Sequence, residues 1–267
     1  MCLSGSDLGR FLGVLRKIGL FCICCLLAAT WQTSATARPL IIAANPQAPF
    51  KYEADGQVRG IDIEVTDEVL RELAIDYEVL LIESDQRLQV EAKAGRIDML
   101  LLYSENEDRR TFLDYPNESY IDLDWNFFIR AEDRGKFTFS KFDDLRSITI
   151  GATHGISYTP EFWDAGLQLQ LVSENSLQID KLLAGRIDAV PMNTISTLHQ
   201  AHIGGYRNKI DFLPKPMKSK AYYNVFSKAS THPDMDKLKT EYDRIIRRMK
   251  DDGSIDQIKA TYIGPSS

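Results

Sequence analysis

LQVEAKAGRID (88–98) and LQIDKLLAGRID (177–188) are two copies of one junction, about ninety residues apart. Each reads as a short amphipathic helix, a Gly where the chain leaves the helix in a left-handed turn, and an Ile that opens a strand. The flanks repeat in the same order. RPLIIAA (38–44), IDIEVTDEVLRELA (61–74), YEVLLIE (77–83), LQVEAKA (88–94) and IDMLLLY (97–103) alternate strand and helix as βαβαβ. The helix at 61–74 has apolar residues at 61, 65, 69 and 73, with 70 alongside. The pattern restarts after FDDLRS (142–147). SITIGAT (147–153) is a strand, a helix opens after Gly155, and LQLQLV (167–172), LQIDKLLA (177–184) and IDAVPM (187–192) follow as strand, helix and strand. Alternation of this kind implies parallel strands covered by helices. The sequence therefore predicts two similar α/β lobes.

Other signals complete the layout. Asp55-Gly56 is a hairpin turn between short strands. SYIDLDWNFFIRAEDRGK (119–136) and KPMKSKAYYNVFSKAS (215–230) have strand character. MDKLKTEYDRIIRRMKDDG (235–253) is a strong terminal helix, preceded by Pro233 and Asp234 and ended by Gly253. Chain crossings near 127–131 and 218–224 would form a two-strand hinge, with lobe 1 made of 38–128 and 222–267 and lobe 2 of 129–221.

Residues 1–37 read as a secretory signal peptide. Arg10, Arg16 and Lys17 precede the apolar run IGLFCICCLLAA (18–29), and Ala35 and Ala37 occupy the small positions before Arg38. The apolar run is short for a membrane span, which needs ~20 residues. All four cysteines (Cys2, Cys22, Cys24, Cys25) fall in this segment, so the remaining chain has no disulfide and no thiol chemistry. Removing three basic and one acidic residue leaves 29 basic and 37 acidic side chains, a net charge of −8. No basic run suits a phosphate backbone, which argues against a nucleic-acid partner. The same acidity disfavours adsorption to anionic lipid.

The chain from Arg38 resembles the extracytoplasmic solute-binding proteins of the amino-acid type that serve ABC transporters. The resemblance is carried by APFKYEADGQVRGIDIEV (48–65), AGRIDMLL (94–101), EDRRTFLDYPNESY (107–120), FDDLRSITIGATHGISY (142–158), LLAGRIDAV (182–190) and MKDDGSIDQIKATYIG (249–264), in that order and spacing. It implies a two-lobed periplasmic-binding-protein fold in the periplasm, acting as a monomer. The implied function is capture of a small carboxylate, an amino acid first among them, for a membrane permease, with no cofactor and no catalysis. It further implies that Arg109 clamps the ligand carboxylate, a task suited to a bidentate guanidinium. Arg110 is the alternative. Ser104 belongs to the same first-lobe row. In the second lobe, Gly155 and Ser157 would present main-chain N–H groups and a hydroxyl to the same anion. Asn193 matches the position where amino-acid binders place an acid for the ligand ammonium, and Ala44 and Gln47 also depart from that pattern. Phe50 and Tyr158 are the candidate aromatic walls.

Three rival readings stand beside this one. An enzyme of the same architecture, such as a dehydratase, would need a cleft acid such as Glu105 or Glu161. A sensory module would bind a ligand and feed no transporter. A degenerate pair of lobes would have lost ligand binding altogether. Apart from these three, His199 and His202, at helical spacing, form a weak metal pair with no carboxylate to complete it.

Overall fold

The computed structural model describes residues 38–156 and 158–264. The segment 1–37, with its predicted signal peptide and cysteines, lies outside the described residues, as does Ser157. Strand β1 (Leu40–Ala44) is the centre of a parallel trio with β4 (Tyr77–Leu81) and β5 (Met99–Ser104). Between β1 and β4 run the hairpin β2 (Tyr52–Ala54) and β3 (Gln57–Arg59) and helix α1 (Ile61–Glu72). The hairpin turns at Asp55 and Gly56, both at positive φ (53° and 73°), the requirement of a two-residue type I′ turn. Helix α2 (Asp85–Lys93) links β4 to β5, capped by the Ser84 hydroxyl, which accepts from the Arg87 N–H.

Two ten-residue strands organise the rest, β7 (Ile121–Arg130) and β12 (Lys218–Ser227). They run antiparallel, Ile121–Trp125 against Lys218–Tyr222. Past Trp125, β7 pairs with β10 (Val190–Asn193) and β11 (Ile210–Phe212). Past Tyr222, β12 pairs with β5 and with β6 (Leu113–Asp114). One sheet, in the order β10-β7-β12-β5-β1-β4, thus joins both halves. The second half adds the parallel pair β8 (Thr149–Thr153) and β9 (Gln168–Val172), helix α5 (Leu177–Leu183) and helix α6 (Thr194–Ile203). Short helices α3 (Glu107–Arg110) and α4 (Pro160–Asp164) sit in loops. The chain closes with α7 (Met235–Asp251) and α8 (Ser254–Ile263). Among the described residues, no helix is long and apolar enough to cross a membrane.

The repeated junction has a common anchor. Gly95 and Gly185 both take the left-handed turn, at φ 71° and 68°. Asp98 accepts from the Ile41 N–H of β1 at 2.8 Å and from both amino groups of Arg38. Its twin Asp188 accepts from the Thr149 N–H of β8 at 2.9 Å and from Arg130 at 3.4 Å. In each half the carboxylate ties the end of the junction to the start of that half's first strand.

Apolar cores form on both sides of the long strands. β1, α1, β5, α7 and α8 share one cluster, with Phe50, Leu101, Tyr120, Leu238, Tyr242 and Ile246 inside it. The second half packs around Phe127, Phe139, Tyr158 and Phe162, and around Phe128, Leu182 and Leu198. One ion pair is wholly buried in the first core: Lys51 Nζ lies 3.5 Å from Asp62 Oδ2, with neither side chain exposed. Burial pushes the Asp62 carboxyl up and the Lys51 ammonium down, each partly opposed by the other charge.

Candidate functional site

The predicted first-lobe residues converge at the C-terminal end of β5. A bulge precedes them: the pairing of β5 with β12 shifts between Tyr223 and Val225, and Leu102 sits at φ 60°. A bulge re-aims the side chains that follow it, here Tyr103 and Ser104. Asn106 then caps α3 by accepting from the Arg109 N–H at 2.8 Å. That cap turns the Arg109 side chain back over β5. Its Nη1 donates to the Ser104 carbonyl at 2.9 Å and to the Ser104 hydroxyl at 3.2 Å. Its guanidinium carbon lies 4.8 Å from the Tyr103 ring centre, and Nη2 is 3.9 Å from Asp85 Oδ2. The Tyr115 hydroxyl also donates to the Ser104 carbonyl.

Asp85 is a member of this group that the sequence did not single out. It accepts from the Tyr103 hydroxyl at 2.6 Å and from Gln89 at 2.7 Å. Burial, then the bond to Asp85, pushes the Tyr103 phenol well up, so it stays a donor. Arg109 is 22 % exposed and held on three sides, whereas Arg110 is 55 % exposed and pairs with Glu105. The two arginines that spacing left as alternatives therefore differ in environment: one is set into the end of a strand, the other lies on the surface.

The structure departs from the sequence reading in three places. The helix predicted to open after Gly155 begins only at Pro160, capped by the Thr159 hydroxyl, and has five residues. Pro at the first helical position and Thr before it are the true start signal. Gly155 instead makes a turn at φ 78°. The expected anion cradle is also partly closed, because the His154, Ile156 and Tyr158 N–H groups already donate to Val172, Thr153 and Ile156. The candidate walls are core: Phe50 has no exposed surface and Tyr158 is 7 % exposed. The Tyr158 hydroxyl accepts from the Thr153 N–H at 3.2 Å, and its ring meets Trp125, Phe162 and Trp163. Asn193 caps α6, its Oδ1 accepting from the Ser196 N–H at 2.9 Å. The cap leaves its Nδ2 as the group it can offer to a ligand.

His199 and His202 go separate ways. His199 Nδ1 bonds the Tyr262 carbonyl at 2.8 Å, while the His202 ring lies beside Gly264. A cavity of about 470 Å³ is bounded by Asp122, Asp124, Arg207, Asp211, Asp256 and Lys259.

The family model for bacterial extracellular solute-binding proteins, family 3, matches residues 40–265. No curated protein matches the chain by sequence. Among solved structures, the open form of substrate-binding domain 2 of Lactococcus lactis GlnP is 18 % identical with a TM-score of 0.70, covering 87 % of this chain and all of that one. The unliganded, open L-cystine solute receptor of Neisseria gonorrhoeae is 18 % identical with a TM-score of 0.70, covering 85 % of this chain and 92 % of that one. A histidine kinase sensor domain is 16 % identical with a TM-score of 0.54, covering 86 % and 97 % respectively. These likenesses establish the two-lobed α/β fold of periplasmic binding proteins. With the family model spanning nearly all the described residues, the chain belongs to the bacterial extracellular solute-binding proteins, family 3.

Proposed function

We propose that this protein captures a small carboxylate between lobe 1 (residues 38–128 and 222–267) and lobe 2 (residues 129–221), closing about β7 and β12, and delivers it to an ABC permease. The observation that carries the reading is Arg109, a guanidinium held at the end of β5 by Ser104 and over Tyr103. A fixed fork of N–H donors binds a carboxylate in two places and cannot lose its charge. Gly155, the cap residue Asn193 and Ser157 would meet the ligand from the second lobe. The reading places the protein outside the cytoplasm as a monomer, after cleavage between Ala37 and Arg38, and assigns it no catalysis and no nucleic-acid partner. The L-cystine solute receptor and a substrate-binding domain assigned to an amino acid ABC transporter among its structural neighbours support an amino acid as one ligand class.

A thermal-shift screen of amino acids and organic acids tests this, because a ligand that binds only the folded state stabilises it by mass action. Arg109→Ala should abolish the shift and Arg110→Ala should leave most of it; the reverse would move the clamp to Arg110. Edman sequencing of exported protein should begin at Arg38.

A second reading, a sensory module, is supported by the kinase sensor domain of the same fold. Stimulation of a reconstituted transporter's ATPase by ligand-loaded protein would favour transport; its absence, with ligand binding intact, would favour sensing.

A further inference from the structure

Asp85 and Arg109 are opposite charges set side by side at the end of β5, and both are fixed from behind. Arg109 Nη1 is committed to Ser104, donating to its carbonyl at 2.9 Å and to its hydroxyl at 3.2 Å. Asp85 Oδ1 accepts from the Tyr103 hydroxyl at 2.6 Å, and Oδ2 accepts from the Gln89 amide at 2.7 Å. Tyr103 is buried, and its ring centre lies 4.8 Å from the Arg109 guanidinium carbon. One tyrosine therefore holds both groups, the acid by its hydroxyl and the base by its ring. The distance between the charges is informative. Arg109 Nη2 is 3.9 Å from Asp85 Oδ2, longer than the ~2.8 Å of a closed arginine–carboxylate hydrogen bond. Among the described residues, each is the other's one ion-pair partner. Each also keeps capacity for a ligand. A carboxylate offers about four acceptor positions, of which Tyr103 and Gln89 take one each.

This arrangement sorts ligands by the sign of the charge beside their carboxylate. A carboxylate that takes the Arg109 fork comes to rest next to the Asp85 charge, and like charges so placed oppose binding. An ammonium adjacent to that carboxylate removes the repulsion, because it faces Asp85 while the carboxylate faces Arg109. From standard bond lengths, the ammonium nitrogen and carboxylate carbon of an α-amino acid are about 2.5 Å apart. Such a zwitterion can lie along the protein's own pair with each charge facing its opposite. An ammonium at the far end of a flexible chain has to order that chain to reach the same acid. On the second lobe, Asn193 is neutral and its oxygen is spent on the α6 cap.

We infer that Asp85 is the specificity-determining residue of this site. It receives the ammonium of an α-amino acid whose carboxylate is held by Arg109, and it turns away carboxylates that lack an adjacent ammonium. Both charges of the ligand are then met by the first lobe, before closure. The inference rests on the carboxylate-capturing reading above and names the group that selects among carboxylates.

The test is calorimetry on the protein with matched pairs: L-alanine and propionate, L-leucine and 4-methylpentanoate, L-phenylalanine and 3-phenylpropionate, L-glutamate and glutarate, L-lysine and 6-aminohexanoate. The second member of each pair lacks the α-ammonium, and 6-aminohexanoate keeps a distant one. The tightest binder should be an α-amino acid, about tenfold or more tighter than its partner. Asp85→Asn keeps an oxygen for the Tyr103 hydroxyl and removes the charge. It should weaken that amino acid about tenfold or more and leave its partner unchanged or tighter, so that the gap within the pair narrows. Equal weakening of both members, with the gap kept, would reduce Asp85 to a structural role and overturn the inference. A deaminated compound as the tightest binder, lost in Arg109→Ala, would overturn the ammonium assignment and leave the carboxylate reading standing. Silence across the whole panel would overturn both readings. If Asp85→Asn does not fold, Asp85→Ser takes its place with the same outcomes.

Discussion

Replacing Asp98 by alanine should cost far more stability than the same change at Asp188, although both close the same repeated junction. Asp98 has no exposed side-chain surface. It accepts from Arg38 at 2.6 and 2.8 Å, from the Ile41 N–H at 2.8 Å and from the Ser230 hydroxyl at 2.5 Å. Stranding the Ile41 N–H costs about 1–3 kcal/mol, and losing the Ser230 bond about 1 kcal/mol. The Arg38 pair adds only about 1 kcal/mol, because that side chain is 41 % exposed and can turn to water. The sum is about 4 kcal/mol. Asp188 is 33 % exposed and holds one main-chain N–H closely. Its Arg130 partner keeps the Leu182 and Ile187 carbonyls without it. The expected cost there is about 1–2 kcal/mol. For a chain of this size, 1 kcal/mol moves Tm by about 2–4 °C, so the two variants should lose roughly 12 °C and roughly 4 °C. Scanning calorimetry, and urea unfolding with unchanged slope, measure both. Equal losses, or a larger loss at Asp188, would refute the reasoning from anchor geometry.

The acid limb gives a second reading of the same group. Burial works against the charged form of Asp98, but Arg38, Ser230 and the Ile41 N–H outweigh it and hold the carboxyl below the usual range. A depressed folded pKa means stability that is present above about pH 4 and is lost as pH falls through the folded value. Asp98→Ala should flatten that limb.

Lys51→Met should cost about 3–5 kcal/mol in urea unfolding, since it leaves the buried Asp62 without its counter-charge. Adding Asp62→Leu should recover most of the loss, and failure to do so would assign the cost to packing. Burial, then its bond to Asp67, pushes the Tyr77 phenol up to about 12. Its contribution is therefore full below about pH 10 and is lost as pH rises toward that value; Tyr77→Phe should make stability less steep across that interval. Asn193→Ala should lose about 1 kcal/mol of helix cap, whereas Asn193→Asp should keep the cap and shift ligand preference toward ammonium-bearing compounds in calorimetry.

Much of the fold was legible because its signals are local. The paired glycines at 95 and 185, the Asp55-Gly56 turn and the apolar stripe of 61–72 each state their conformation in a few residues. The strand order and the α6–α8 packing depend on register between distant segments, which no local pattern carries. The second-lobe loop was misread where two signals competed. Gly155 suggested a helix start, but Thr159-Pro160 provides one, five residues on. Phe50 and Tyr158 were placed by type, yet an aromatic ring fits a core as well as a cleft, and both are core. Asp85 escaped notice for the opposite reason. Its charge was visible, but its place beside Tyr103 and Arg109 appears only once α2 is packed against β5.

The final helix has a mechanical consequence. α8 lies against α1 on one side and α6 on the other. Tyr262 reaches Glu64 with its phenol and His199 with its carbonyl. Any swing of the second half about the long strands must drag this helix along or part it from α6. Under the proposed closure about β7 and β12, the last helix would therefore be the element whose contacts must break or travel.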